Sequence, residues 1–180
     1  NVVYNRISQA KNRLISWQDY LNDPILAGED AASMKPEIGN IYRAYSQRCF
    51  KAGAMDFDDI LYNTDLLFRN HLDVLNKYQH RIQYILVDEF QDTDPVQYEL
   101  MLSISERPGS QVSTWQEMAL EPGKLFIVGD PKQSIYAFRR ADIEAFDRVV
   151  EKVTADGGIA VNLLGPGEAR LNLPGGAVRV

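Results

Sequence analysis

The sequence predicts an α/β fold in which a parallel sheet wrapped by helices follows a mostly helical subdomain. Three observations carry that expectation. Apolar residues recur at helical spacing through residues 1–80. The period then changes to short, continuous apolar runs that end abruptly in polar residues, Tyr84-Ile85-Leu86-Val87 before Asp88-Glu89 and Leu125-Phe126-Ile127-Val128 before Gly129-Asp130. Helical patterns lie between and after those runs. A strand apolar on both faces is one covered on both faces, as in a parallel sheet packed by helices, and strand–helix alternation is the α/β signature.

In the first part, Ile7, Ala10, Leu14 and Ile15 share one helical face, with Lys11 and Arg13 pointing elsewhere. The stretch from Asp23-Pro24 to Pro36 is rich in Gly, Ala, Pro and acid and reads as a loop. Ile41, Tyr45, Arg48, Cys49 and Ala52 form the next face, stopped by Gly53. Asp56 is positioned to cap a helix that buries Phe57, Ile60, Leu61, Thr64, Leu67 and Phe68. A short helical stretch over Leu72–Tyr78 leads to the first apolar run.

Asp94-Pro95 places a cap and then Pro at the first helical position, ahead of Val96, Leu100, Met101 and Ile104. Residues 106–123 read as a long irregular insertion. Asp142 can cap a helix carrying Ile143, Phe146, Val149, Val150 and Val153, and Ile159, Val161 and Leu163 alternate as a third strand. The Gly/Pro-rich tail, residues 164–180, reads as loop, with Arg170–Leu173 at best a short edge strand.

Composition bounds the function. Hydrophobic residues at 45% and charged residues at 24% suit a soluble globular chain. No apolar run approaches the roughly 18–20 residues of a transmembrane helix, so no membrane partner is expected. A single cysteine, Cys49, excludes an internal disulfide and fits a reducing, cytoplasmic compartment. His71 and His80 with that cysteine make no zinc-like spacing. The net charge of −6 argues against a basic coat for nucleic acid, though a local groove can still be basic.

Two polar clusters follow the apolar runs, and in open α/β sheets ligands bind at the carboxyl ends of strands. In Val87-Asp88-Glu89-Phe90-Gln91-Asp92-Thr93 one carboxylate can hold Mg²⁺ through water and the next can orient an attacking water. An acidic pair also simply marks where a strand surfaces. In Gly129-Asp130-Pro131-Lys132-Gln133-Ser134-Ile135-Tyr136-Ala137-Phe138-Arg139-Arg140 a tight turn precedes a neutral amide, two aromatics and two arginines. Gln133 can bond a phosphate oxygen or a water without adding charge. Tyr136 and Phe138 can stack on unpaired bases or fill a core, and Arg139 and Arg140 can pair with phosphate.

Together the clusters resemble the second and third motifs of the UvrD/Rep superfamily of DNA helicases, which includes the RecB and AddA helicase-nuclease subunits. Met55-Asp56-Phe57-Asp58-Asp59-Ile60-Leu61 is similar to that family's signature just upstream. The resemblance implies a partial RecA-like ATPase core of the P-loop NTPase type over residues 56–163, preceded by a helical segment (1B-like) over residues 1–55. It implies Asp88 as the Mg²⁺ ligand in the Walker B motif, Glu89 as catalytic base and Gln133 as γ-phosphate sensor. Gln91 and Arg139 would link the nucleotide to the DNA site, with Tyr136, Phe138 and Arg140 on the DNA. ATP and Mg²⁺ are the implied cofactors. Single-stranded and duplex DNA are the implied partners, with nuclease or repair-complex subunits.

The departures matter as much. No Gly-x-x-x-x-Gly-Lys-Ser/Thr phosphate loop occurs in these residues; in the family it lies upstream. After Val161-Asn162-Leu163 stands Leu164-Gly165-Pro166-Gly167 instead of an Asn-Phe-Arg-Ser-like run. Phe138 stands where many members carry Trp, and Arg140 where Gly is frequent. The expectation is therefore an internal helicase fragment, inactive by itself. The competing readings are a non-catalytic module binding DNA or a partner, and a metal-dependent nuclease built on Asp88, Glu89 and Asp92.

Overall fold

A computed structural model of the chain describes residues 2–109, 114–130, 143–163, 169–173 and 176–179, with side chains for those up to 130 and for 146–159. The chain divides into two units, Asn1–Leu72 with Asp94–Leu100, and Asp73–Thr93 with Met101–Val180.

The first unit is helical: α1 (Val2–Asn12), α2 (Trp17–Asn22), α3 (Pro24–Ala32), α4 (Ile38–Lys51), α5 (Phe57–Asn70) and the first half of α7 (Pro95–Ser105). Its core is Ile7, Ala10, Tyr20, Leu26, Ile38 and Tyr42, with Val3, Ile15, Trp17 and Tyr45 packed against it. Each large apolar side chain buried there stabilises by about 1.5–3 kcal/mol. Tyr20 and Tyr42 meet edge to face at 5.9 Å. At Gly39 a Cβ would stand 2.7 Å from Leu21 Cδ2, the tip of a flexible side chain, so a larger residue there has to displace Leu21 where α4 meets α2.

Three expectations change in this unit. The Gly/Ala/Pro stretch after Asp23 is helix α3, because Asp23 caps it by accepting from the N–H groups of Ile25 and Leu26, and Pro24 occupies its first turn. Lys11 does not point away from the core but is 2% exposed. The buried faces of α4 and α5 are also rotated from the apolar stripes. α4 turns Ile38, Gly39 and Tyr42 inward and leaves Ile41, Arg48 and Ala52 exposed. α5 buries Asp65 and Phe68, while Phe57 is 87% exposed and Ile60 and Leu67 are also out. The cap is as expected: Asp56 Oδ1 accepts the Asp59 N–H at 2.7 Å, and Asp59 Oδ2 accepts the Asp56 N–H at 3.2 Å. Gly53, at φ +60, ends the preceding helix region in the left-handed conformation that glycine adopts freely.

An ion cluster forms around buried Lys11 where α1, α4 and the start of α5 meet. Lys11 Nζ lies 2.7 Å from Asp56 Oδ2 and 2.7 Å from Asp59 Oδ1, and 4.9 Å from the centroid of the Tyr45 ring. The Tyr45 hydroxyl donates to Asp56 Oδ2 at 2.7 Å. On the same helix Arg69 donates to Asp65 Oδ2 at 2.6 Å and pairs with Glu99 of α7. Burial nevertheless leaves the carboxyls of Asp65 and Glu99 above their ordinary values.

The second unit holds most of α6 (Leu72–Arg81), β1 (Ile85–Val87), the second half of α7, β2 (Leu125–Ile127), α8 (Ile143–Ala155), β3 (Ala160–Leu163), β4 (Ala169–Leu173) and β5 (Gly176–Arg179). β1 and β2 pair in parallel, Ile85 with Leu125, Leu86 with Phe126 and Val87 with Ile127. α7 carries the expected cap, the Gln97 N–H bonding Asp94 Oδ1 at 3.0 Å. Lys124, buried just before β2, donates to the Gln79 carbonyl at 2.6 Å, while Gln79 Nε2 donates to the Ser103 carbonyl at 2.8 Å. These bonds tie the last turns of α6 and α7 to the sheet. In the described parts of the insertion, 106–109 and 114–123, Trp115, Met118 and Leu120 are buried and Glu106 bridges Leu120, so these residues are less loose than their composition suggests.

Two expectations change here as well. The third strand does not join β1 and β2. β3 pairs antiparallel with β4, and β4 with β5, in a separate sheet of order β3-β4-β5. Part of the tail is thus strand, with Arg170–Leu173 in its central strand. Short alternating segments such as Asn162-Leu163 and Arg170-Leu171-Asn172-Leu173 take their structure from pairing, which local composition does not encode.

Candidate functional site

The apolar run of β1 ends at Val87, and Asp88 and Glu89 emerge at the carboxyl end of the parallel pair, both exposed. Asp88 Oδ1 accepts the Glu89 N–H at 2.9 Å. Glu89 is left-handed, φ 54 and ψ 38, an unusual backbone for a side chain of this size and the kind of local strain that collects at working sites. A 3₁₀ turn over Phe90–Asp92 follows, closed by the Asp92 N–H on the Glu89 carbonyl at 2.9 Å and by Thr93, whose N–H and hydroxyl both reach the Phe90 carbonyl.

Backbone pairing outlasts the strands. The Val128 N–H bonds the Val87 carbonyl at 2.8 Å, and the Phe90 N–H bonds the Val128 carbonyl at 3.1 Å. Phe90 is buried, with its ring 5.5 Å from that of Phe146 on α8. This seats the start of the second polar cluster beside the first. Gln91 spans them: its Nε2 donates to Glu89 Oε2 at 2.6 Å, and its Oε1 accepts the Asp130 N–H at 3.0 Å.

Of the residues singled out in the sequence, Asp88, Glu89 and Gln91 are thus together at one end of the parallel pair. Gln133, Tyr136, Phe138, Arg139 and Arg140 lie outside the described residues. Gly129 and Phe146 are contributors that sequence reasoning gave only structural notice. A glycine directly after an apolar run is the signal for Gly129, whereas Phe146 has no sequence signal beyond its place on an apolar helix face.

The donor set fits an ion that keeps most of its water. Asp88 and Glu89 are exposed carboxylates side by side at the strand end. Magnesium takes one or two carboxylates and retains waters, so Asp88 matches it better than a fully dehydrated ion. Among the described residues no helix is long and apolar enough to cross a membrane.

The chain belongs to the UvrD/REP helicase N-terminal domain family, whose model matches residues 2–154. It is 36% identical to the ATP-dependent DNA helicase UvrD1 of Mycobacterium tuberculosis over 151 residues, 80% of this chain and 18% of that protein. It is 35% identical over 141 residues to the ATP-dependent DNA helicase PcrA of Bacillus subtilis, covering 78% of this chain and 16% of the other. With DNA helicase II of Haemophilus influenzae it shares 36% identity over 116 residues, 64% and 14% of the two chains. The chain therefore spans less than a fifth of the length of the curated relatives it matches.

Proposed function

We propose that this chain supplies the magnesium-and-water half of an ATP-dependent DNA motor of RecA-like type and is inactive by itself. Residues 56–163 serve as the partial ATPase core and residues 1–55 as the helical segment beside duplex DNA. The observation that supports this most is the exposed Asp88–Glu89 pair at the carboxyl end of β1, with Glu89 held by the same amide that binds the Asp130 N–H. Asp88 holds Mg²⁺, and Glu89 orients the attacking water and takes its proton. Bound Mg²⁺ supplies neutralisation of the charge that builds on the phosphates. Gln133 reads the γ-phosphate, Arg139 couples nucleotide to DNA, and Tyr136, Phe138 and Arg140 meet single-stranded DNA.

These 180 residues contain no phosphate loop, the element that cradles the nucleotide in phosphoryl transfer. Two experiments test the reading. Millimolar Mg²⁺ added to the labelled chain is expected to shift the amide resonances of Asp88 and Glu89, with affinity weakened about tenfold or more in Asp88→Asn. No response at Asp88 overturns its assignment. ATP turnover is expected to be undetectable with or without single-stranded DNA; Mg²⁺-dependent turnover that vanishes in Glu89→Gln would overturn the expected inactivity.

A further inference from the structure

We propose that the outer face of α5, with the groove beside it, is a self-association surface through which two copies of this chain pair, their α5 helices antiparallel across a two-fold axis. The proposal concerns the helical unit alone and is independent of the reading of Asp88 and Glu89. It starts from how α5 distributes its residues. Asp65 is buried and Asp58 and Asp59 are half-buried, with Asp59 paired to Lys11 and Asp65 to Arg69. Phe57, Ile60, Leu66 and Leu67 are exposed. α5 thus keeps its carboxylates in and its apolar side chains out, the reverse of a helix whose outer face ends at water.

Phe57, Ile60, Asn63, Thr64, Leu67 and Asn70 follow one another along that outer face at spacings of three and four, and none of them is charged. A groove beside α5 continues the surface, where Trp17, Phe50, Met55 and Leu66 meet the neutral Gln47 and Asn63. Phe50 is 88% exposed and Met55 62%. Depletion of charge with enrichment in aromatic residues and Met is the composition of an interface core. At roughly 200 Å² for each fully exposed side chain of this size, the apolar residues of the face and of the groove's rim present about 600 Å² per copy. A pair of copies then clears the roughly 1,000 Å² that a specific interface needs.

The order of these residues selects a second copy over an unrelated protein. Turned end for end about a point between Asn63 and Thr64, the face sets apolar against apolar and polar against polar. Ile60 meets Leu67 of the second copy and Asn63 meets its Thr64, each at two equivalent places, as a two-fold interface requires. The Thr64 hydroxyl donates to the Ile60 carbonyl at 2.6 Å, which leaves its oxygen to accept. Asn63 Nδ2 approaches Met55 Sδ at 3.5 Å, a weak bond that leaves its second hydrogen for the copy. The charges agree. α5 carries Asp58 and Asp59 in its first turn and Arg69 in its last, so antiparallel packing sets acid beside base and opposes the two helix dipoles. The net charge of −6 on each copy is screened beyond about 8 Å at physiological salt and does not hold the two apart.

Sedimentation equilibrium of the 180-residue chain at physiological salt tests the pairing. A monomer–dimer equilibrium with Kd on the order of 10–100 µM is expected, as suits an interface near the small end of the specific range. Ile60→Lys and Leu67→Glu, both at exposed positions, are each expected to weaken it at least about tenfold, because each sets a charge against an apolar side chain twice in the pair. Mixing the two variants is expected to restore association to within about threefold of wild type, since Lys then faces Glu at one contact and Leu faces Ile at the other. Only antiparallel α5 helices bring residues 60 and 67 of different copies together. Unchanged helical circular dichroism shows that a variant is folded; where one is not, Ile60→Glu with Leu67→Lys is the reversed pair and reads the same. A chain that stays monomeric up to about 300 µM, well above that Kd, overturns the proposal and leaves the face to another protein. Association that survives both single variants, or that the mixture fails to recover, overturns the antiparallel pairing. Association abolished instead by Leu86→Lys with Phe126→Glu overturns it as well, by placing the contact on the sheet.

Discussion

Lys11 sits on α1, 45 residues from Asp56 and 2% exposed, and its charge is matched only by what α5 brings to it. Burial alone would lower the Lys11 ammonium, but its bonds to Asp56 and Asp59 outweigh this and carry it above its ordinary 10.5. Burial alone would likewise raise Asp56, yet the bonds from Lys11, the Asp59 N–H and Tyr45 hold it below its ordinary 3.8. Removing Lys11 takes two charge-assisted hydrogen bonds from the half-buried carboxylates of Asp56 and Asp59, so Lys11→Met is expected to destabilise the helical unit by about 1.5–3 kcal/mol. Trp17, partly buried against that unit's core, reports it by fluorescence in a Trp115→Phe background; a urea midpoint that does not move would remove the cluster from the account of stability. The pH dependence follows in sign. Asp56 has a depressed folded value, so its contribution is present above 3.8 and lost as pH falls through that lower folded value. Lys11 has a raised folded value, so its contribution is present below 10.5 and lost as pH rises through the folded one. The gap between wild type and Lys11→Met is thus expected to be widest between about pH 5 and 9 and to narrow at both ends. A gap constant from acid to alkali would contradict the linkage.

Elements differ in how much of their stability is local, and α3 and β2 show the two cases. α3 exists because Asp23 caps it, so Asp23→Ala is expected to cost about 1 kcal/mol, measured as a lower urea midpoint of Trp17 fluorescence. An unchanged midpoint would mean that burial of Leu26 and Asp30 alone holds the segment. β2 is held from the residue just before it, where Lys124 donates to the last-turn carbonyl of Gln79, a favourable place for a cation at a helix C-terminus. Lys124→Met is expected to cost about 1.5–3 kcal/mol, the range for a charged hydrogen bond, and the buried Trp115 reports it. The same distinction explains what the sequence revealed. The caps at Asp56 and Asp94 and the runs of β1 and β2 were legible because neighbours within a few residues determine them. The inward turn of Lys11 was not, since its partners lie on α5, and neither was the β3-β4-β5 pairing, which depends on register between segments. At the site, Asp88 and Glu89 could be singled out by type and order. The Gln91 bridge could not, because only the parallel register of β1 and β2 sets the Asp130 N–H opposite it.

For the molecule as a whole, the question is whether its apolar runs find the cover that they call for. Leu86 and Phe126 pair across the parallel strands on one face and remain 70% and 65% exposed, with Tyr84 and Val128 exposed beside them in sequence. Ile85, Val87, Leu125 and Ile127, on the other face, are half-buried. A parallel sheet normally has both faces covered, and a two-stranded sheet is marginal without such packing. The net charge of −6 opposes self-association over a Debye length but does nothing to wet an apolar face. The chain is accordingly expected to bind a hydrophobic dye such as ANS in its native state. Leu86→Lys with Phe126→Glu should reduce that fluorescence by about twofold or more, since contiguous apolar patches rather than scattered residues bind such probes. The change should leave the Trp115 signal intact, because neither side chain contributes to the covered face. Dye binding unaffected by the double substitution would place the dominant apolar surface elsewhere, with Phe50 and Phe57 of the helical unit the next candidates, being 88% and 87% exposed.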